Sequence, residues 1–135
     1  MADSLALVSL QVSKLSSDEI DVICLYRSKQ CHGGVEAISG LINNTKTTII
    51  CGDFNVCYKE NRNHPLIRTI LNLGFHQLVQ HATHIEGGVI DHIYFKNGSH
   101  PMNIDVQMYS PYYTARDHDA LCVTLTKLVD DISGN

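Results

Sequence analysis

The chain has no tryptophan, only three prolines and three phenylalanines, and charged residues make up just 18% of its 135 positions. So little proline excludes a polyproline linker or stalk, and the absence of like-charge blocks together with 44% hydrophobic residues excludes a disordered, self-repelling chain. No apolar run approaches the roughly 20 residues that span a bilayer, so no membrane partner is expected. Ala2 to Val12 carries Asp3 where a secretory leader would have a basic flank, and no signal peptide is expected. Basic residues are the minority, 10 against 14 acidic, and the net charge of −4 denies the surface any general pull on a polyanion. Any nucleic-acid contact must be local. The five cysteines are odd in number and form no C-x-x-C pair, which argues against a disulfide framework. An intracellular, reducing setting, the nucleus included, is the expectation. His76, His81 and His84, with Cys31, Cys57 and His64, lack zinc-ligand spacing, so no structural zinc site is expected.

What remains is a single α/β domain over 1–135. Leu5 to Val12 and Ile20 to Tyr26 are β-branched, apolar runs that predict two strands. Val35, Ile38, Leu41 and Ile42 recur at helical spacing and predict a helix from Gly34 to Asn43. Thr47 to Cys51 is a compact run suited to a central strand. Pro65 fits a first helical turn, Leu66, Ile67, Ile70, Leu71 and Leu73 give that helix an apolar face, and Gly74 ends it. Gln77 to Gln80, Val89 to Phe95, Ile104 to Met108 and Ala120 to Leu125 predict four further strands. Residues 130–135 read as a frayed tail.

Three motifs sit at strand ends. Gly52-Asp53-Phe54-Asn55 follows the central run, and its carboxylate can serve as base or metal ligand while the Asn amide can donate to an oxyanion. Ile90-Asp91-His92-Ile93-Tyr94 puts a carboxylate within an apolar strand, where it needs a partner. Arg116-Asp117-His118-Asp119 precedes the last strand and offers one in His118; a carboxylate bonded to an imidazole fixes its tautomer and raises its pKa. Each motif taken singly also reads as an ordinary turn or a satisfied strand end.

In this order, with Tyr26 ending an earlier strand, the motifs resemble the endonuclease/exonuclease/phosphatase superfamily over about Asp21 to Leu125. Their form is most similar to the endonuclease domains of mobile elements (retroelements and Helitron-like transposons) and to AP endonucleases. The resemblance implies the C-terminal half of a β-sandwich-type fold, a mixed sheet with flanking helices, carrying a phosphodiesterase that depends on Mg2+ or Mn2+ and cleaves DNA, with RNA as an alternative substrate. It implies that Asp53 activates the attacking water and helps hold the metal with Asp117. Asn55 and His118 would stabilise the transferring phosphate, Asp91 would orient His118, and Tyr26 would contact the phosphate or the leaving oxygen. Arg27, Arg62 and Arg116 are candidate nucleic-acid contacts. Phosphatases and tyrosyl-DNA phosphodiesterases share the scaffold.

The chain departs from that family at its start. No counterpart is found of the early strand Asn or of the strand-end Glu that is the principal metal ligand, and Arg116 stands where Ser is usual. An inactive remnant that binds nucleic acid or a protein partner is therefore the rival reading. With one half of the sandwich missing, Val8, Leu10, Ile23, Leu25, Ile49, Ile93, Val106, Val123 and Leu125 are expected to share an uncovered face, which a homodimer would bury.

Overall fold

A computed structural model describes residues 8–15, 20–27, 35–81, 87–109 and 120–127. The fold is mixed α/β: strands β1 (Val8–Leu15), β2 (Ile20–Arg27), β3 (Thr47–Asp53), β4 (His76–Gln77) and β5 (Asp91–Lys96) form one sheet in the order β1-β2-β3-β5-β4. Strands β6 (Met102–Tyr109) and β7 (Ala120–Lys127) form a separate antiparallel ribbon. Helices α1 (Val35–Leu41) and α2 (Pro65–Asn72) complete the described elements. The sheet is itself mixed, since β2 and β3 run parallel whereas β1/β2, β3/β5 and β4/β5 are antiparallel. Parallel neighbours need a long crossover, and α1 lies within the one between β2 and β3.

Period-two alternation sorts the side chains onto two interiors. Ile23 opposes Ile50, which opposes Tyr94; these three, with Leu25, pack against Ile38 of α1 and Leu66 and Ile70 of α2. One residue along, Val22 opposes Ile49, which opposes Phe95, and this row faces the other way. There Ile49, Ile93 and Phe95 pack with Val79 and Val89 against Ile104 and Val106 of β6 and Val123 and Leu125 of β7. Asn103, Asp105, Thr124 and Thr126 on the ribbon's alternate positions are exposed.

This arrangement corrects the expectation of one shared apolar face. Ile23 and Leu25 lie under the helices, Ile49 and Ile93 lie under the ribbon, and Val106, Val123 and Leu125 belong to the ribbon itself. The side chains of Val8 and Leu10 lie outside the described set. Among the described residues, the helices pack on one face of the sheet and the ribbon on part of the other.

Strand boundaries differ from the sequence reading where side chains replace the ladder. β4 stops at Gln77 because that side chain turns back on Val79, its Nε2 donating to Val79 O and its Oε1 accepting from Val79 N, both at 2.6 Å. Ile93 N, 3.4 Å away, also points at this Oε1. β5 starts at Asp91, not Val89, since the carbonyls of Val89 and Ile90 accept from Tyr58 N and Phe54 N at 2.9 and 2.8 Å. No described helix is long and apolar enough to cross a membrane.

Candidate functional site

The β2/β3/β5 register brings Tyr26, Asp53 and Asp91 into one row, Tyr26 opposite Asp53 and Asp53 opposite Asp91. Directly opposed residues in an antiparallel pair have Cα atoms about 4.5–5.5 Å apart, so the two carboxylates are neighbours. They border a cleft of about 270 Å3 lined by Cys51, Gly52, Asp53, Asp91, His92, Ile93 and Val123. Asp53 and Asp91 are half-buried, whereas Tyr26 is 51% exposed. The row occurs where the ribbon's cover ends: Cys24 and Tyr26, on β2, are open to solvent.

The backbone around Asp53 is built for close approach. Gly52 has φ of 143°, and a Cβ there would meet Leu25 O at 1.8 Å, so this position accepts only glycine. Asp53 Oδ1 then accepts from Asn55 N at 3.0 Å, an Asx turn that aims the carboxylate back along the loop. Asn55 itself adopts φ of 52°, and its Nδ2 donates to Arg27 O, strapping the loop to the end of β2. One hydrogen of that amide is thereby committed to structure and one is left over.

Phe54 and His92 are the structural partners of this loop. Phe54 is fully buried and stacks on the His92 ring, with centroids 4.5 Å apart and planes 13° apart. Val56 O and Val89 O both lie 2.9 Å from His92 Nε2, and a carbonyl can only accept, so Nε2 carries the hydrogen. Nδ1 is then an acceptor for the Tyr94 hydroxyl at 3.0 Å. The neutral ring is fully satisfied, and protonating it would break the Tyr94 bond. Burial is the largest influence and holds the His92 pKa down at about 4, outweighing the two carbonyls and the Asp91 charge, which push it up. His92 is thus a core histidine. Burial likewise pushes the Tyr94 phenol above its ordinary range.

Arg27 requires a correction. As a nucleic-acid contact it should reach solvent, but it is 4% exposed, with Nη1 donating to Phe54 O at 3.2 Å and Nη2 lying 3.3 Å from His64 Nε2. It falls on the helix side of β2, one residue past Tyr26, so alternation turns it inward. His64 in turn caps α2, its Nδ1 accepting from Leu66 N at 3.2 Å. Arg62 is exposed, its guanidinium carbon 5.3 Å from the Tyr58 ring centroid. Arg116, Asp117, His118 and the Asp91 to His118 pairing lie outside the described residues, as do Cys31, His84 and the 130–135 tail.

Two side chains at this site escaped the sequence reading. Cys24 and Cys51 are opposed on β2 and β3 with sulfurs 3.9 Å apart. Their positions two residues before Tyr26 and Asp53 were visible, but the parallel register that pairs them was not. Among the described residues no group of three or more His, Cys, Asp or Glu side chains could hold a metal ion. The chain matches no protein-family model, no curated protein and no solved structure.

Proposed function

We propose that this chain is a divalent-metal-dependent phosphodiesterase that cleaves DNA by attack of an activated water on the phosphodiester. One observation carries the reading: the motif residues Tyr26, Asp53 and Asp91, far apart in sequence, share a single cross-strand row at the rim of a cleft. Phosphodiester hydrolysis needs a base for water and preorganised donors where charge develops. Asp53 is the candidate base, in register with Tyr26 on one side and Asp91 on the other. Asn55, through its remaining amide hydrogen, and His118 are the donors that the superfamily resemblance implies.

The donor set is compatible with Mg2+ or Mn2+, hard ions that take one or two protein carboxylates and complete their shell with water and phosphate oxygens. Asp53, with Asp117 by resemblance, would hold the ion, which when bound supplies charge neutralisation at the phosphate. The chain's own residues bind and orient: Asp91 would orient His118, as the resemblance implies, and the Gly52 turn fixes the Asp53 carboxylate.

Purified protein incubated with plasmid and single-stranded DNA in Mg2+, Mn2+ or EDTA tests the reading, with RNA as a further substrate. Metal-dependent nicking is expected, and Asp53→Ala, Asn55→Ala and His118→Ala should each lower it by roughly a hundredfold or more with folding retained. DNA left intact at high protein load with either metal defeats it. A binding module is the second reading, favoured by the Asn55 amide already bonded to Arg27 O. Its signature is DNA binding by fluorescence anisotropy without cleavage.

A further inference from the structure

The thiols of Cys24 and Cys51 are a pair of nucleophilic side chains that the proposed chemistry leaves unused. They are in-register partners on parallel strands, and their sulfurs stand 3.9 Å apart. Neighbouring strands lie about 4.7–4.9 Å apart, within the Cα separation of about 4.4–6.8 Å that a disulfide bridges. The pair therefore meets the Cα-separation condition for a disulfide. Cys24 is exposed, whereas Cys51 is half-buried and forms part of the cleft wall beside Asp53 and Asp91.

We propose that Cys24 and Cys51 form a modification site, a dithiol that a peroxide-class oxidant converts to a reversible disulfide bridging β2 and β3 at the cleft. The asymmetry of the pair assigns the order of events. Cys51 is half-buried in the cleft wall and so is shielded from an oxidant in solution. Cys24, open to solvent, meets the oxidant: its thiolate attacks one peroxide oxygen, the O–O bond breaks, and water leaves with the thiol proton, giving a sulfenic acid. The Cys51 sulfur attacks the Cys24 sulfur, the S–O bond breaks, and the hydroxyl leaves as a second water with the Cys51 proton. In sum, two thiols and one hydrogen peroxide give one disulfide and two waters. The sulfurs close from 3.9 Å to about 2.05 Å. Because the Cys51 sulfur lines the cleft, that closure moves its wall toward β2. The inference stands on the thiol geometry and does not rest on the nuclease reading.

Folded protein is exposed to hydrogen peroxide at neutral pH, quenched, denatured, alkylated, digested and mapped by mass spectrometry. A Cys24–Cys51 cross-linked peptide is expected as the dominant product, with both thiols regained after dithiothreitol. In Cys51→Ser, dimedone trapping of a sulfenic acid at Cys24 should rise severalfold over wild type, because the resolving thiol is gone. The proposal is overturned if both cysteines stay alkylatable, if Cys24 is oxidised without cross-linking, or if it pairs instead with Cys31, Cys57 or Cys122. The wild-type map decides between these outcomes even where a serine variant fails to fold.

Discussion

The two faces of the central sheet are held in different ways. Under the helices, Ile23, Leu25, Ile50, Phe54 and Tyr94 are buried, and the polar groups there, Arg27 and His92, are occupied by loop carbonyls and ring partners. Under the ribbon, cover extends over β3 and β5 but stops short of β2, leaving Cys24 and Tyr26 open. The chemistry-bearing side chains Cys24, Cys51, Tyr26, Asp53 and Asp91 collect along that boundary. A sealed face can spend its polar residues only on internal bonds, whereas a half-covered face can present them to a ligand while still fixing their backbone.

The contrast breaks most visibly if deep and open positions respond alike. Phe54→Ala should cost about 3–5 kcal/mol in urea unfolding, the usual loss for a buried aromatic, while Tyr26→Ala, on the open face, should stay within about 0.5 kcal/mol. Equal losses would erase the distinction between the faces. Acid probes the sealed face next. The folded-state pKa of His92, about 4, lies below its ordinary 6.5, so between those values the unfolded chain binds the extra proton. Stability is therefore fully present above pH 6.5 and is lost as pH falls toward 4, by about 3 kcal/mol at 1.36 kcal/mol per unit. His92→Gln should flatten that slope in denaturant titrations run at several pH values. A smaller effect than at Phe54 or His92 is expected at Arg62, whose exposed contact with Tyr58 should yield a loss of about 0.5 kcal/mol in Arg62→Ala, measured by thermal melting at matched pH.

Much of the element order was legible, because Thr47 to Cys51 and Pro65 to Leu73 carry unambiguous β and helical periodicities. The pairing of faces was not. Ile23 and Ile49 look equivalent in a list of apolar strand residues, and only the parallel register, which sets Ile23 opposite Ile50, sends them to opposite sides. The same register decides the site: Asp53 and Asp91 were marked by their motifs, but their juxtaposition with Tyr26 is a property of three strands that no single motif encodes. Arg27 was misjudged for a related reason, since its basic side chain beside Tyr26 suggested a surface contact and the alternation of β2 turned it inward. Gln77 was read as the start of a strand running to Gln80, because a side-chain amide that ends a ladder leaves no mark in hydropathy.

That amide bears on how the molecule behaves in crowded solution. An unpaired strand at the margin of a sheet offers a row of free peptide groups on which another chain can polymerise, and natural sheets guard such margins. At the β4 margin the described ladder is only two residues long, and beyond it Gln77 occupies both polar groups of Val79 with its own side chain. Its carboxamide, which Ile93 N of β5 also approaches at 3.4 Å, supplies from within the chain the hydrogen bonds that continued pairing would have made. The ladder at this margin is thereby ended from within the chain, and Gln77→Leu would release Val79 N and O from those bonds.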